Sequence, residues 1–79
     1  MEENRLNQLY KLIANSAGVE LEEITPESEF LADFNTTEAE VGELIKRIEE
    51  RMGIELDFTN LRDIVSVKDL VDIVEEAEL

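Results

Sequence analysis

The sequence predicts an all-α fold, a small four-helix bundle with a long first loop and a short third helix. Three observations carry this. Apolar residues recur at spacings of three and four in three separate segments, the mark of helices with one buried face. Two of those segments open on a hydroxyl followed three residues later by a carboxylate, Thr37 with Glu40 and Ser66 with Asp69, the pattern of a capping box. Glycines stand where the first two stripes end, at Gly18 and Gly53, where a left-handed residue closes a helix.

The first helix is expected from Glu3 to Ala17. Leu6, Leu9, Tyr10, Ile13 and Ala17 share a face that Leu12 widens, and Glu2 and Glu3 suit the positive end of the helix dipole. The connection from Val19 to Thr36 is too long to be structureless in a small domain. Val19, Leu21, Ile24, Phe30, Leu31 and Phe34 are expected to pin it to the core, and Thr25-Pro26 to open a short helical turn. The second helix is expected from Glu38 to Met52, with Val41, Leu44, Ile45, Ile48 and Met52 inward. Glu43 with Arg47 and Lys46 with Glu49 are spaced for surface ion pairs. Gly42 costs about 1 kcal/mol relative to alanine inside a helix, so it is either tolerated or needed for a close approach.

Residues 54–58 alternate like a strand but have no strand partner, which makes them an extended loop held by Ile54 and Leu56. Thr59 or Asn60 caps a short third helix through Ile64. Ser66 caps the fourth, which turns Val67, Leu70, Val71 and Val74 inward and frays from Glu75.

Composition narrows the function. The chain has 79 residues, which suits one domain, residues 1–79, with a modest core. It has no cysteine and no histidine, so no disulfide, no thiolate metal site and no imidazole base. With 21 acidic and 7 basic residues its net charge is -14, which repels nucleic acid and anionic lipid and favours basic protein surfaces. No apolar run is long enough to span a membrane, and Met1-Glu2-Glu3-Asn4 is too acidic for a signal peptide, so a cytoplasmic location is expected. Carboxylate pairs are so common here that none singles out an acid-base site, and a domain this small offers little room for a desolvated catalytic pocket. No enzyme activity is expected. Residues 33–37 resemble the start of a calcium loop, but Glu38 stands where that loop needs glycine and Leu44 where it needs glutamate, so no specific metal site is expected.

The segment from Phe30 to Leu44 resembles the prosthetic-group segment of acyl carrier proteins. That family reads there an aromatic residue, an acidic loop ending Asp-Leu-Gly, then Asp-Ser-Leu opening a helix. Asp33-Phe34-Asn35 stands for the first triplet and Thr37-Glu38-Ala39 for the second. Gly18-Val19, Ile24-Thr25-Pro26, Met52-Gly53-Ile54 and the run from Ile64 to Asp69 extend the likeness along nearly the whole chain. The resemblance implies a bundle of acyl-carrier-protein type. It also implies that Glu38 stands where the family's serine carries 4'-phosphopantetheine.

A carboxylate cannot be esterified by the route used on serine, so no cofactor is expected at Glu38 unless attachment is atypical. As an acidic first-turn residue Glu38 suits the helix dipole; its second reading is a charge mimic of the phosphate. Thr36 and Thr37 are adjacent hydroxyls, but Thr37 has a capping role; Ser16, Ser28 and Ser66 lie outside the motif. The family's partner enzymes read acidic residues on the second helix. Glu38, Glu40 and Glu43 keep that character, while Lys46 and Arg47 replace residues that are usually apolar or small in the family.

The reading is an acidic, monomeric binding or regulatory module that lacks the arm and meets a basic protein surface, such as that of an acyl-transfer or biosynthetic enzyme. The alternatives are a working carrier of acyl or related groups in fatty-acid or secondary-metabolite biosynthesis with atypical attachment, and a purely structural subunit.

Self-repulsion at -14 opposes compaction, and salt at ~0.1 M screens charges beyond about 10 Å. Thermal melts starting at low ionic strength should therefore shift upward on adding sodium chloride or magnesium. An unchanged or lower midpoint would contradict this.

Overall fold

Residues 1–79 are described by a computed structural model in which three α-helices and two single 3-10 turns follow one another. The helices are α1 (Glu3–Ala17), α2 (Glu38–Met52) and α3 (Val67–Ala77). The turns are Leu21–Glu23 and Leu61–Asp63. There are no strands, only one isolated antiparallel bridge between Glu29 and Ser66.

The bounds of α1 and α2 are those the periodicity and the glycines predict. Gly18 (φ 71°) closes α1, its N–H donating to the Ala14 carbonyl at 2.9 Å, and Gly53 (φ 67°) closes α2 on Glu49 at 3.0 Å. At the start of α2 the Thr37 hydroxyl accepts from the Glu40 N–H at 3.3 Å, while the Glu40 carboxylate accepts from the Thr37 N–H at 2.9 Å. At the start of α3 Ser66 accepts from the Asp69 N–H at 3.3 Å, and Asp69 accepts from the Ser66 and Val65 N–H groups, both at 3.0 Å. These amides hold both carboxyls below their ordinary values: that of Thr37 for Glu40, and chiefly that of Ser66 for Asp69.

The core is one cluster to which every helix contributes. Leu9, Leu12 and Ile13 come from α1, Val41, Leu44, Ile45, Ile48 and Met52 from α2, and Val67, Leu70 and Val74 from α3. Leu6, Tyr10, Ala17 and Val71 are only half-buried, at the edges of their stripes.

The long connection is pinned by two buried side chains, Ile24 and Phe30, with Val19 and Phe34 packed partly against the core. Leu21 and Leu31 do not bury: they are 38% and 66% exposed. Pro26 opens no helix. The local helix comes earlier, at Leu21–Glu23, and Thr25 to Ser28 is a hydrogen-bonded turn closed by the Ser28 N–H on the Thr25 carbonyl at 3.0 Å. The connection then runs beside the start of α3. Phe30 donates to the Val65 carbonyl at 3.0 Å, Val67 to Ser28 at 2.9 Å and Lys68 to Pro26 at 3.0 Å.

Residues 54–58 are extended and lack a partner strand; the Glu49 carboxylate fastens them by accepting from the Leu56 N–H at 3.0 Å. The expected short third helix is no more than the Leu61–Asp63 turn, capped by Asn60 on the Arg62 N–H at 3.0 Å. Helix α3 continues to Ala77 instead of fraying from Glu75. Arg5 of α1 supports its end, donating from Nε to Glu78 at 2.6 Å and from a second nitrogen to the Met52 carbonyl at 2.9 Å. The two expected ion pairs on α2 are absent. Arg47 donates instead to the Ser16 hydroxyl at 3.2 Å, and Glu49 is taken by Leu56.

Thr37→Ala should cost about 1 kcal/mol, the usual loss of a cap, read as a lower denaturant midpoint with unchanged slope. Asp69 and Glu40 have lowered folded pKa values, so their contribution is present above the unfolded carboxylate range, about pH 4, and is lost as pH falls through the folded values. Asp69→Asn should thus be less stable than the parent at pH 7, and the gap should close in acid. Urea titrations at pH 7 and at about pH 2.5 would show a constant gap if the charge were irrelevant.

Candidate functional site

The start of α2 is set by Thr37 and by the residue before Thr36. Asn35 has φ 54°, the one positive value outside glycine, and asparagine tolerates that region better than other side chains do. The chain reverses there, closed by the Thr36 N–H on the Phe30 carbonyl at 2.7 Å. This delivers Thr37 to the cap and Glu38 to the first helical position. The cap takes the Glu40 amide, so the amides of Glu38 and Ala39 are the ones left for solvent or an anion.

Glu38 is exposed, and its carboxylate stands 3.9 Å from the Arg62 guanidinium, itself 80% exposed. Such a pair contributes little on its own. The hydroxyls near this helix start are engaged or buried. The Thr37 hydroxyl accepts from the Glu40 amide and donates to the Glu40 carboxylate at 3.0 Å. Thr36 is 4% exposed, Ser66 is the cap of α3, Ser28 is buried against Thr25, and Ser16 receives Arg47. A phosphodiester-linked arm needs a free side-chain hydroxyl at this helix start. The residues present do not fit that attachment.

The five residues expected to meet a partner are all exposed on α2, but they do not form one surface. Glu40, Glu43 and Arg47 line a shallow hollow with Asn15 and Ser16 of α1. Glu38 lies on the other side of the helix, beside the Leu61–Asp63 turn. Lys46 belongs to neither group. No three His, Cys, Asp or Glu side chains converge to hold a metal ion, and no helix is long and apolar enough to cross a membrane.

Beside Glu38 the structure opens a groove of about 380 Å³ that the sequence did not reveal. The long connection contributes Phe30, Leu31 and Thr36, α2 contributes Val41, and the segment between α2 and α3 contributes Leu61, Ile64 and Val65. Its one legible trace is Gly42. A Cβ there would lie 3.3 Å from the Leu61 Cδ1, so a side chain at this position would press on the leucine that lines the groove.

A family model described as a phosphopantetheine attachment site matches residues 7–74. The acyl carrier protein of Nitratidesulfovibrio vulgaris is 38% identical over 64 residues, covering 81% of this chain and 84% of that protein. The acyl carrier protein of Helicobacter pylori is 35% identical over 68 residues, covering 86% and 87%. The order of the helices, the cap at Thr37 and these matches along most of the chain agree: this chain belongs to the acyl carrier protein family of phosphopantetheine-attachment domains.

Proposed function

We propose that this chain is a single carrier-type domain that has kept the family's bundle and lost the arm, acting as an acidic binding or regulatory module. The Leu61–Asp63 turn serves as the fourth helical element of that bundle. The observation that carries the reading is Glu38 at the first position of α2, with each neighbouring hydroxyl engaged or buried. The module is read as a monomer in the cytoplasm that meets a basic surface on a biosynthetic or acyl-transfer enzyme. The support is the net charge of -14 and the exposed carboxylates of Glu38, Glu40 and Glu43 at the start of α2. No catalytic role is assigned to the domain itself.

Glu38→Ser tests the reading directly. Serine there would stand at a helix start, where a phosphate gains from the dipole and free amides. The parent should keep its mass after incubation with coenzyme A and a broad-specificity phosphopantetheinyl transferase. Glu38→Ser should gain at least slow modification, and Thr37→Asp with Ala39→Leu added should speed it by rebuilding the segment the transferase reads. Modification of the parent, read by intact mass, would mean that another residue carries the arm and the chain is a working carrier with atypical attachment. A folded triple variant that stays unmodified would show that the likeness stops short of the transferase-binding surface.

A further inference from the structure

We propose that Arg5 is a latch on the last turn of α3. While it holds Glu78 the turn is closed beyond Val74; when it lets go the turn unwinds by itself and the start of α3 stays in place.

The two ends of α3 are held by different means. The start is fixed by backbone bonds to the long connection: Phe30 donates to the Val65 carbonyl at 3.0 Å, Val67 to Ser28 at 2.9 Å and Lys68 to Pro26 at 3.0 Å. The last core residue of the helix is Val74, which is fully buried. Beyond it little apolar packing remains, since Ala77 is half-buried and Leu79 is exposed. An open hollow of about 740 Å³ lies between the start of α1 and this turn, and its lining is charged apart from Met1 and Leu79.

The turn opposes its own closure. Glu75, Glu76 and Glu78 stand at the negative end of the helix dipole, and the last turn contains no basic residue. Arg5 supplies the missing charge from another helix. Its Nε donates to a Glu78 carboxylate oxygen at 2.6 Å, and its Nη2 lies 2.5 Å from the same oxygen. Nη2 also donates to the Met52 carbonyl at 2.9 Å. The end of α2 thus holds the guanidinium in position, so less side-chain freedom is lost when Glu78 closes on it. The two side chains are 31% and 20% exposed, which sets this contact apart from a freely exposed surface pair. The Met1 amine adds only a longer contact, 3.7 Å from Glu75. One polar contact therefore balances a turn with few apolar contacts and three carboxylates, the conditions for local opening. The turn can open while the backbone bonds at the start of α3 remain made.

The test reads helix population from the Cα chemical shifts of the isotope-labelled full chain. Arg5→Met keeps a good helix former and an apolar stem. It should remove about half of the helical shift at residues 75–78, as a roughly tenfold drop in the closing equilibrium does to a turn about nine-tenths closed. Residues 67–73 should keep theirs. Glu78→Gln should lower the shift at residues 75–78 in the parent but raise it in Arg5→Met, where Glu78 is only a charge at the unfavourable end of the dipole. Lys68→Met removes a cation from an exposed pair on the same helix and should leave the last turn unchanged. The latch is overturned if Arg5→Met leaves residues 75–78 as helical as before, or loosens all of α3 equally. It is also overturned if Lys68→Met has the same effect as Arg5→Met, or if Glu78→Gln acts with the same sign in both backgrounds. Were Arg5→Met not to fold, Glu78→Gln decides alone: a gain of helical shift in the parent rules the latch out, and a loss supports it.

Discussion

The constraint on which the rest depends is the seating of Phe30. Its ring is 2% exposed, and full burial of such a side chain contributes about 1.5–3 kcal/mol. The backbone around it does as much to fix topology. The Phe30 amide is tied to Val65 and its carbonyl to Thr36, so one residue joins the long connection, the start of α3 and the start of α2. Phe34 packs edge-on at 6.3 Å and Asp33 accepts the Glu29 amide at 2.7 Å, which closes the turn around the anchor. A connection from Val19 to Thr36 would otherwise leave α2 free to slide. With Phe30 in place, the cap at Thr37 and the wall of the groove follow.

Acidity in this chain is of two kinds. Glu23, Asp33, Glu40, Glu49 and Asp69 each accept a backbone amide, so they act as local acceptors where helices begin or loops turn. Their charge is partly spent on the fold. Most of the remaining carboxylates make no side-chain bond and contribute to the field of the molecule. Few cations answer them: Arg5 binds Glu78 and the end of α2, Lys68 pairs with Asp72 at 3.2 Å, and Arg47 is turned to a serine. The excess of acid lies mostly outside α2, where Lys46, Arg47 and Arg51 stand among five glutamates.

Much of this was legible because it is local. Helix bounds at Glu3, Ala17, Glu38 and Met52 come from period, cap and glycine, all within a few residues of one another. What was not legible depends on residues far apart. Leu21 and Leu31 look like anchors by hydrophobicity, but exposure is set by which side of the connection meets the core, and Phe30 took the inward place. Ion pairs spaced correctly on α2 did not form because Ser16 of α1 and the Leu56 amide offered Arg47 and Glu49 other partners. Arg5 bridging α1 to the ends of α2 and α3 leaves no trace in a helical wheel. The groove needs Leu31, Val41, Leu61 and Val65 together, and only Gly42 hinted at it. The motif around position 38 gave no sign that Arg62 would stand beside it.

The side chain at position 38 and the fold are separable, and the contacts around it show why. Thr37 makes the cap, Glu40 returns it, Asn35 makes the reversal and Phe30 anchors it; none of these contacts needs the side chain of residue 38. That side chain is exposed, at the first position of a helix, where a negative charge is favourable by about 0.3–1 kcal/mol. A glutamate there suits the helix start, although it adds to the excess of acid. A carrier hydroxyl at that position would be maintained by its chemistry alone. A bundle without a carrier hydroxyl at that position would therefore keep its cap, its reversal and its anchor.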